Sequence, residues 1–218
     1  MKQQLLKILN PILHFHRKKI AKMSHQRLDL DRMRRKWALL EAELQGEPGS
    51  FLDVGCNEGF FSRYTSELGW FSMGIDTDRV AIEYAVDSTR DRCNVVFAVA
   101  PLSRDLVNTL PRFDVIAMLS SFQEIYVALG REEALYCLGV MLDKCNSKLL
   151  FEPASTNEKF HDEIFKKDND EKAVTDWVVS LIENYPEWHV RKVGKTCYSD
   201  TEPYRYLYAI ERKFKKVD

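Results

Sequence analysis

The sequence predicts an α/β fold: a doubly wound, mostly parallel seven-stranded sheet that closes with an antiparallel C-terminal hairpin. Three observations carry that prediction. Short apolar runs at 51–54, 71–75, 94–99, 113–119 and 148–152 are separated by stretches long enough for a helix, which is how parallel strands joined by crossovers read. The two last runs, 188–193 and 204–211, follow each other across a short turn-rich link, as an edge hairpin does. The length, 218 residues, suits one such domain plus an extension, and no repeat or low-complexity linker interrupts the pattern.

Charge divides the chain unevenly. The formal net charge is −1, which alone gives no reason to expect nucleic acid as a partner. Residues 1–47 nevertheless hold 11 Lys/Arg against 5 Asp/Glu, so the remainder is net negative. We divide the chain into a basic extension, 1–28, and a domain, 29–218. Within residues 1–23, Leu5, Ile8, Ile12, His16 and Ile20 recur at helical spacing among lysines, with Pro11 set to kink any helix. Two roles fit that segment: a surface helix on an anionic membrane, or a helix packed on its own domain. The five cysteines are odd in number and lack paired C-x-x-C spacing, and His14, His16 and His25 lack companions at ligand spacing, so no disulfide framework and no metal site is expected. No apolar run reaches the ~20 residues of a membrane span and no secretory signal opens the chain. A cytoplasmic protein, with peripheral membrane contact through residues 1–23 left open, is the expectation.

Residues 29–46 form the first convincing helix, with Leu30, Met33, Trp37, Leu40 and Leu44 on one face and Gly46 near its end. Trp37 reads as core and Arg34 and Arg35 as a solvated face or ligand contacts.

The run Phe51-Leu52-Asp53-Val54-Gly55-Cys56-Asn57-Glu58-Gly59-Phe60 is the stretch with chemistry in it. Gly55 and Gly59 have no side chain, so the backbone can turn sharply and bring its amides against a ligand. A dinucleotide fingerprint needs glycine at the first, third and sixth positions, which here hold Gly55, Asn57 and Phe60, so a nicotinamide site is excluded. Asp76 ends the next apolar run, 23 residues beyond Asp53, where folds of this plan hold a ribose by its hydroxyls. Two later stretches follow strands and so fall on the ligand side of the sheet: Ala100-Pro101-Leu102, without an acid or amide for an adenine ring, and Ser120-Ser121-Phe122-Gln123-Glu124.

Asp53-x-Gly55-x-x-x-Gly59 with Asp76 resembles motif I of the class I S-adenosylmethionine methyltransferases, with Asn57 in place of the usual middle glycine. Three further blocks, Leu119–Ile125, Leu150–Pro153 and Tyr204-Arg205-Tyr206-Leu207-Tyr208, are similar to blocks in two groups that methylate phosphates: the O-antigen chain-terminating kinase–methyltransferases and the bicoid-interacting type that caps RNA 5′ phosphates. Motif I is the specific part of the resemblance. The chain departs at Gln123-Glu124, where those groups carry histidines or a Lys-Trp pair.

The resemblance implies S-adenosylmethionine as cofactor, contacted by Asp53, Gly55, Cys56, Asn57, Gly59, Phe60, Asp76, Thr77, Ser120 and Phe122. It also implies methyl transfer to an oxygen. A hydroxyl acceptor needs a base, for which Glu124 and Glu152 are the candidates. A phosphate acceptor needs a cation instead, for which Arg205 is the candidate, with Lys195 or Arg34 as helpers. The leading acceptor is a saccharide or phosphorylated glycan of cell-surface polysaccharide assembly. An RNA 5′ phosphate and a cofactor-binding module without turnover are the alternatives.

Overall fold

The computed structural model describes residues 30–153, 171–196 and 205–213. The basic extension 1–28, most of the charged insertion that follows β5, His161 and Tyr204 lie outside the described residues.

In chain order the elements are α1 (Leu30–Glu43), β1 (Ser50–Val54), α2 (Phe60–Glu67), β2 (Phe71–Asp76), α3 (Arg79–Ser88), β3 (Val95–Val99) and α4 (Arg104–Thr109). Next come β4 (Phe113–Leu119), α5 (Phe122–Leu129), α6 (Arg131–Lys144), β5 (Cys145–Glu152), α7 (Glu171–Ser180), β6 (Trp188–Lys195) and β7 (Tyr206–Arg212). The seven strands form one sheet in the order β3-β2-β1-β4-β5-β7-β6. The first five are parallel, and β7 pairs antiparallel with both β5 and β6. The sheet thus has the doubly wound order and the terminal hairpin that the apolar runs predict. β5 begins three residues earlier than its apolar run, because Cys145 pairs with Phe113 ahead of a register shift.

Side chains of a strand alternate between faces, and the core follows that period of two. Leu52, Ile116, Met118, Leu149, Phe151, Tyr208 and Ile210 point to one face, where α6 and α7 add Leu138, Met141, Val174 and Val178. Phe51, Val115, Ala117, Leu150, Leu207 and Ala209 point to the other, against Met33 and Leu40 of α1 and Phe61 of α2. Fully burying side chains of this size stabilises by about 1.5–3 kcal/mol each, which makes β1, β4 and β5 the rigid centre. Among the described residues, no helix is long and apolar enough to cross a membrane.

Winding reverses between β1 and β4, the neighbours that run out to opposite edges. Such a switch point opens a crevice past the carboxyl ends of the strands.

Candidate cofactor and acceptor site

A cavity of about 450 Å³ occupies that crevice, a volume within the range of small-molecule sites. Its walls are the residues that follow β1 (Gly55, Asn57), β2 (Asp76, Thr77), β3 (Ala100, Pro101, Leu102) and β4 (Ser120, Ser121), with Glu124, Ile125 and Leu129 of α5.

The turn after β1 has no room for a side chain at either of its glycines. Gly55 has φ +78°, and a Cβ there would stand 2.5 Å from the Ser121 Cβ. Gly59 has φ +74°, and its Cβ would meet the Phe97 ring at 2.7 Å. Asn57, at the position of the usual middle glycine, adopts φ 51°, which asparagine tolerates better than most residues. Its N–H donates to Asp76 Oδ2 at 2.8 Å, while its own Oδ1 accepts from the Glu58 N–H at 2.9 Å.

One expectation about this turn is corrected. Its amides do not line up toward a ligand: Gly55 and Cys56 donate to the Ile75 carbonyl, Gly59 to that of Cys56, and Asn57 and Glu58 as just described. What the glycines supply is room beside Ser121 and Phe97, and the charged group presented to the cavity beside the turn is the Asp76 carboxylate at the end of β2. Asp76 Oδ1 accepts from the Asp78 N–H at 2.8 Å, so both oxygens are fixed in direction, each with a remaining lone pair.

Of the residues the sequence points to, Gly55, Asn57, Asp76, Thr77, Ser120 and Glu124 come together on the cavity wall. Cys56 and Phe122 are fully buried, Phe122 against Phe151 and Trp177. Asp53 is buried too, accepting from Ser62 Oγ at 2.9 Å at the base of α2, and desolvation pushes its carboxyl up to about 7. Gly59 and Phe60 line a separate hollow of about 110 Å³ with Arg34, Arg63, Tyr64 and Tyr84. Trp37 is half-buried and tilts against Tyr64 at 5.4 Å, as a core residue would.

Beside the cavity lies a second constellation. Ser120 adopts φ 59°, a left-handed backbone that costs a non-glycine residue energy and persists only where neighbours over-determine it. Here they do. Its N–H donates to the Glu152 carbonyl at 3.0 Å, its hydroxyl to Glu152 Oε1 at 2.8 Å, and its carbonyl accepts from Gln123 Nε2 at 2.5 Å. Arg205 Nη1 donates to Ser120 Oγ at 3.1 Å and stands 3.7 Å from Glu152 Oε1.

Glu152 is wholly buried, and its other oxygen lies 2.5 Å from Lys36 Nζ. Burial opposes both charges; against it, Lys36, Arg205 and the Ser120 hydroxyl hold the Glu152 carboxyl below its ordinary value, whereas burial leaves the Lys36 ammonium below its own. Lys36 is the residue that sequence reasoning missed. Its signal was position: it falls three residues after Met33 and four before Leu40, inside the apolar stripe of α1.

No protein-family model and no curated protein matches the sequence. Solved structures do match. The bifunctional kinase-methyltransferase WbdD is 24% identical, with TM-score 0.60 over 85% of this chain and 39% of its own. Magnesium protoporphyrin IX methyltransferase from Synechocystis PCC 6803, solved with S-adenosylmethionine, is 16% identical at TM-score 0.57 over 89% and 82% of the two chains. The plantazolicin methyltransferase BamL, solved with S-adenosylhomocysteine, is 11% identical at TM-score 0.63 over 90% of each. The fold is the class I methyltransferase fold. This chain spans about two-fifths of the length of WbdD, so its share of the class I plan corresponds to part of that protein.

Proposed function

We propose that the chain is an S-adenosylmethionine-dependent O-methyltransferase whose acceptor is a saccharide or phosphorylated glycan of cell-surface polysaccharide assembly. The observation that carries the reading is the cavity at the β1/β4 switch point, with the Asp76 carboxylate on its wall and a glycine turn whose added Cβ atoms would collide with Ser121 and Phe97.

The residues present fit the cofactor by their chemistry. Asp76 offers a carboxylate to a pair of ribose hydroxyls, and Pro101, Leu102 and Ile125 offer an apolar slot for a flat ring. When bound, S-adenosylmethionine supplies an electrophilic methyl group on a sulfonium sulfur. The protein's part is to align an acceptor oxygen and to arrange charge around it.

Between the two base candidates the geometry favours Glu124. It is exposed and lines the cavity, whereas Glu152 is enclosed and already answers Lys36 and Ser120. A carboxylate held by a buried cation is a poor proton acceptor. An anionic acceptor needs no base, and Arg205, fixed on the Ser120 hydroxyl at the edge of the cavity, supplies the cation for it. That second arrangement suits a phosphate on a glycan and equally an RNA 5′ phosphate.

Incubation with S-adenosylmethionine and a panel of glycans, glycan phosphates and 5′-phosphorylated RNAs, read by mass spectrometry, tests the proposal. A methylated glycan or glycan phosphate supports it. A methylated RNA end moves the acceptor to the other class, and no product with any of them, from protein that binds the cofactor, leaves a binding module.

A further inference from the structure

Ser121 stands at the N-cap of α5, on the wall of the cavity, where a serine ordinarily turns its hydroxyl back onto the first N–H groups of the helix. Here it does not. Its backbone sits at φ −110°, ψ −26°, away from the extended conformation that favours such a cap, and no side-chain cap bond forms. The residue is only 9% exposed, and its buried Oγ has no hydrogen-bond partner among the described residues. A buried hydroxyl left unpaired costs free energy, so one kept on a cavity wall points to a partner from outside the chain.

The helix behind it says what kind of partner. α5 has eight residues, and the N–H groups of its first turn have no carbonyl within the helix to donate to, so they and the positive end of the helix dipole open beside Ser121. That end suits an anion. The serine hydroxyl can donate to the same anion, and the single χ1 torsion directs it without moving the backbone.

Place in the cavity says which anion. The wall follows the strand order, with Pro101 and Leu102 after β3, Asp76 after β2, Gly55 after β1 and Ser121 after β4. A cofactor with its flat ring at Pro101 and its ribose at Asp76 therefore carries its sulfur and amino-acid end over Gly55 to Ser121. Gly55 keeps that path clear, since a Cβ there would stand 2.5 Å from the Ser121 Cβ and 3.3 Å from its Oγ. Glu124, in the first turn of α5 and on the same wall, opposes a dianion at that spot. The amino-acid end, with an ammonium beside its carboxylate, is net neutral.

We infer that Ser121 and the open N-terminus of α5 form a carboxylate subsite, which holds the amino-acid end of S-adenosylmethionine and so fixes the sulfur at the end of β4. This rests on the cofactor reading proposed above.

The test is titration calorimetry on the full chain with two ligands, S-adenosylhomocysteine and its thiopropylamine analogue, which lacks only the carboxylate. Ser121→Ala should weaken S-adenosylhomocysteine by about tenfold or more, the scale of a hydrogen bond to a charged group, and leave the analogue within about twofold of its wild-type affinity. Because the hydroxyl has no partner in the described chain, Ser121→Ala should melt no lower than wild type. Unchanged affinity for S-adenosylhomocysteine in this variant, or an equal loss for both ligands, would overturn the subsite. So would unchanged S-adenosylhomocysteine affinity with weakened binding of inorganic phosphate, which would give the hydroxyl to the acceptor instead. Asp76→Ala, first shown to be folded, is the arm for the cofactor reading, since both ligands carry the ribose and both should weaken alike. If wild type binds neither ligand, or Asp76→Ala binds both as wild type does, the cofactor reading is what fails, and the subsite falls with it.

Discussion

Lys36 of α1 and Glu152 at the end of β5 meet at 2.5 Å, their side chains 6% and 0% exposed. One helix before the sheet is thereby tied to the strand end that also orients Ser120. Losing Lys36 leaves Glu152 in the core with only the more distant Arg205 and the Ser120 hydroxyl to answer it, so Lys36→Met is expected to cost up to about 3–5 kcal/mol of stability, most of it regained on adding Glu152→Gln. Urea unfolding of the three proteins measures this. A cost below ~1 kcal/mol for Lys36→Met would mean that the pair is open to water.

Asp53 gives a pH signature. Burial lifts its carboxyl from 3.8 to about 7 in the folded protein. Below pH ~4 both states hold the proton; from there to pH ~7 the folded state keeps a proton that the unfolded chain has released, so stability falls as pH rises and the loss is complete above pH ~7. Asp53→Asn removes that term. Its advantage over wild type should grow between pH 4 and 8, by up to about 4 kcal/mol for a shift of this size. Unfolding free energies for the two proteins that run parallel across this range would contradict the assignment.

Gly55 joins the two halves of the site. An alanine there would meet the Ser121 Cβ at 2.5 Å from a backbone with φ +78°. The left-handed backbone alone should cost about 1–2 kcal/mol, with the clash in addition. Because relief requires Ser121 to move on the cavity wall, melting temperature and cofactor affinity should fall together. A stable Gly55→Ala protein with wild-type affinity would show that the turn is more yielding than its contacts imply.

The legibility of this chain had physical limits. Strands β1, β2 and β4 were readable because each is a near-continuous apolar run ended by a turn or an acid, and Asp76 was readable because spacing from Asp53 fixes it on the next strand end. The first residues of β5, Cys145-Asn146-Ser147, have no such run, so pairing with β4 and not local pattern makes them strand. In the site, adjacency misled. Cys56 and Phe122 stand beside cavity residues in sequence, yet their side chains are in the core. Lys36 was hidden by the opposite effect, since a lysine in a helix is ordinarily solvated and its buried partner comes from a strand far along the chain.

Arg205 separates an acceptor role from a structural one. Lysine keeps the charge but loses the planar fork, so Arg205→Lys should lower turnover by on the order of tenfold with little change in cofactor affinity. Steady-state rates on an acceptor found in the panel, with thermal melts beside them, check this. Wild-type turnover with a lowered melting temperature would make Arg205 a strut for Ser120 and Glu152 only.

Everything proposed here depends on the cavity at the β1/β4 switch point holding S-adenosylmethionine by Asp76. Titration calorimetry on wild type and Asp76→Ala, each first shown to be folded because Asp76 also fixes the Asn57 and Asp78 amides, is the direct measurement. The account predicts saturable binding by wild type and a loss of about 1.5–3 kcal/mol, roughly tenfold to a hundredfold, in the variant. No binding by folded wild-type protein, or an unchanged affinity in folded Asp76→Ala, would contradict it.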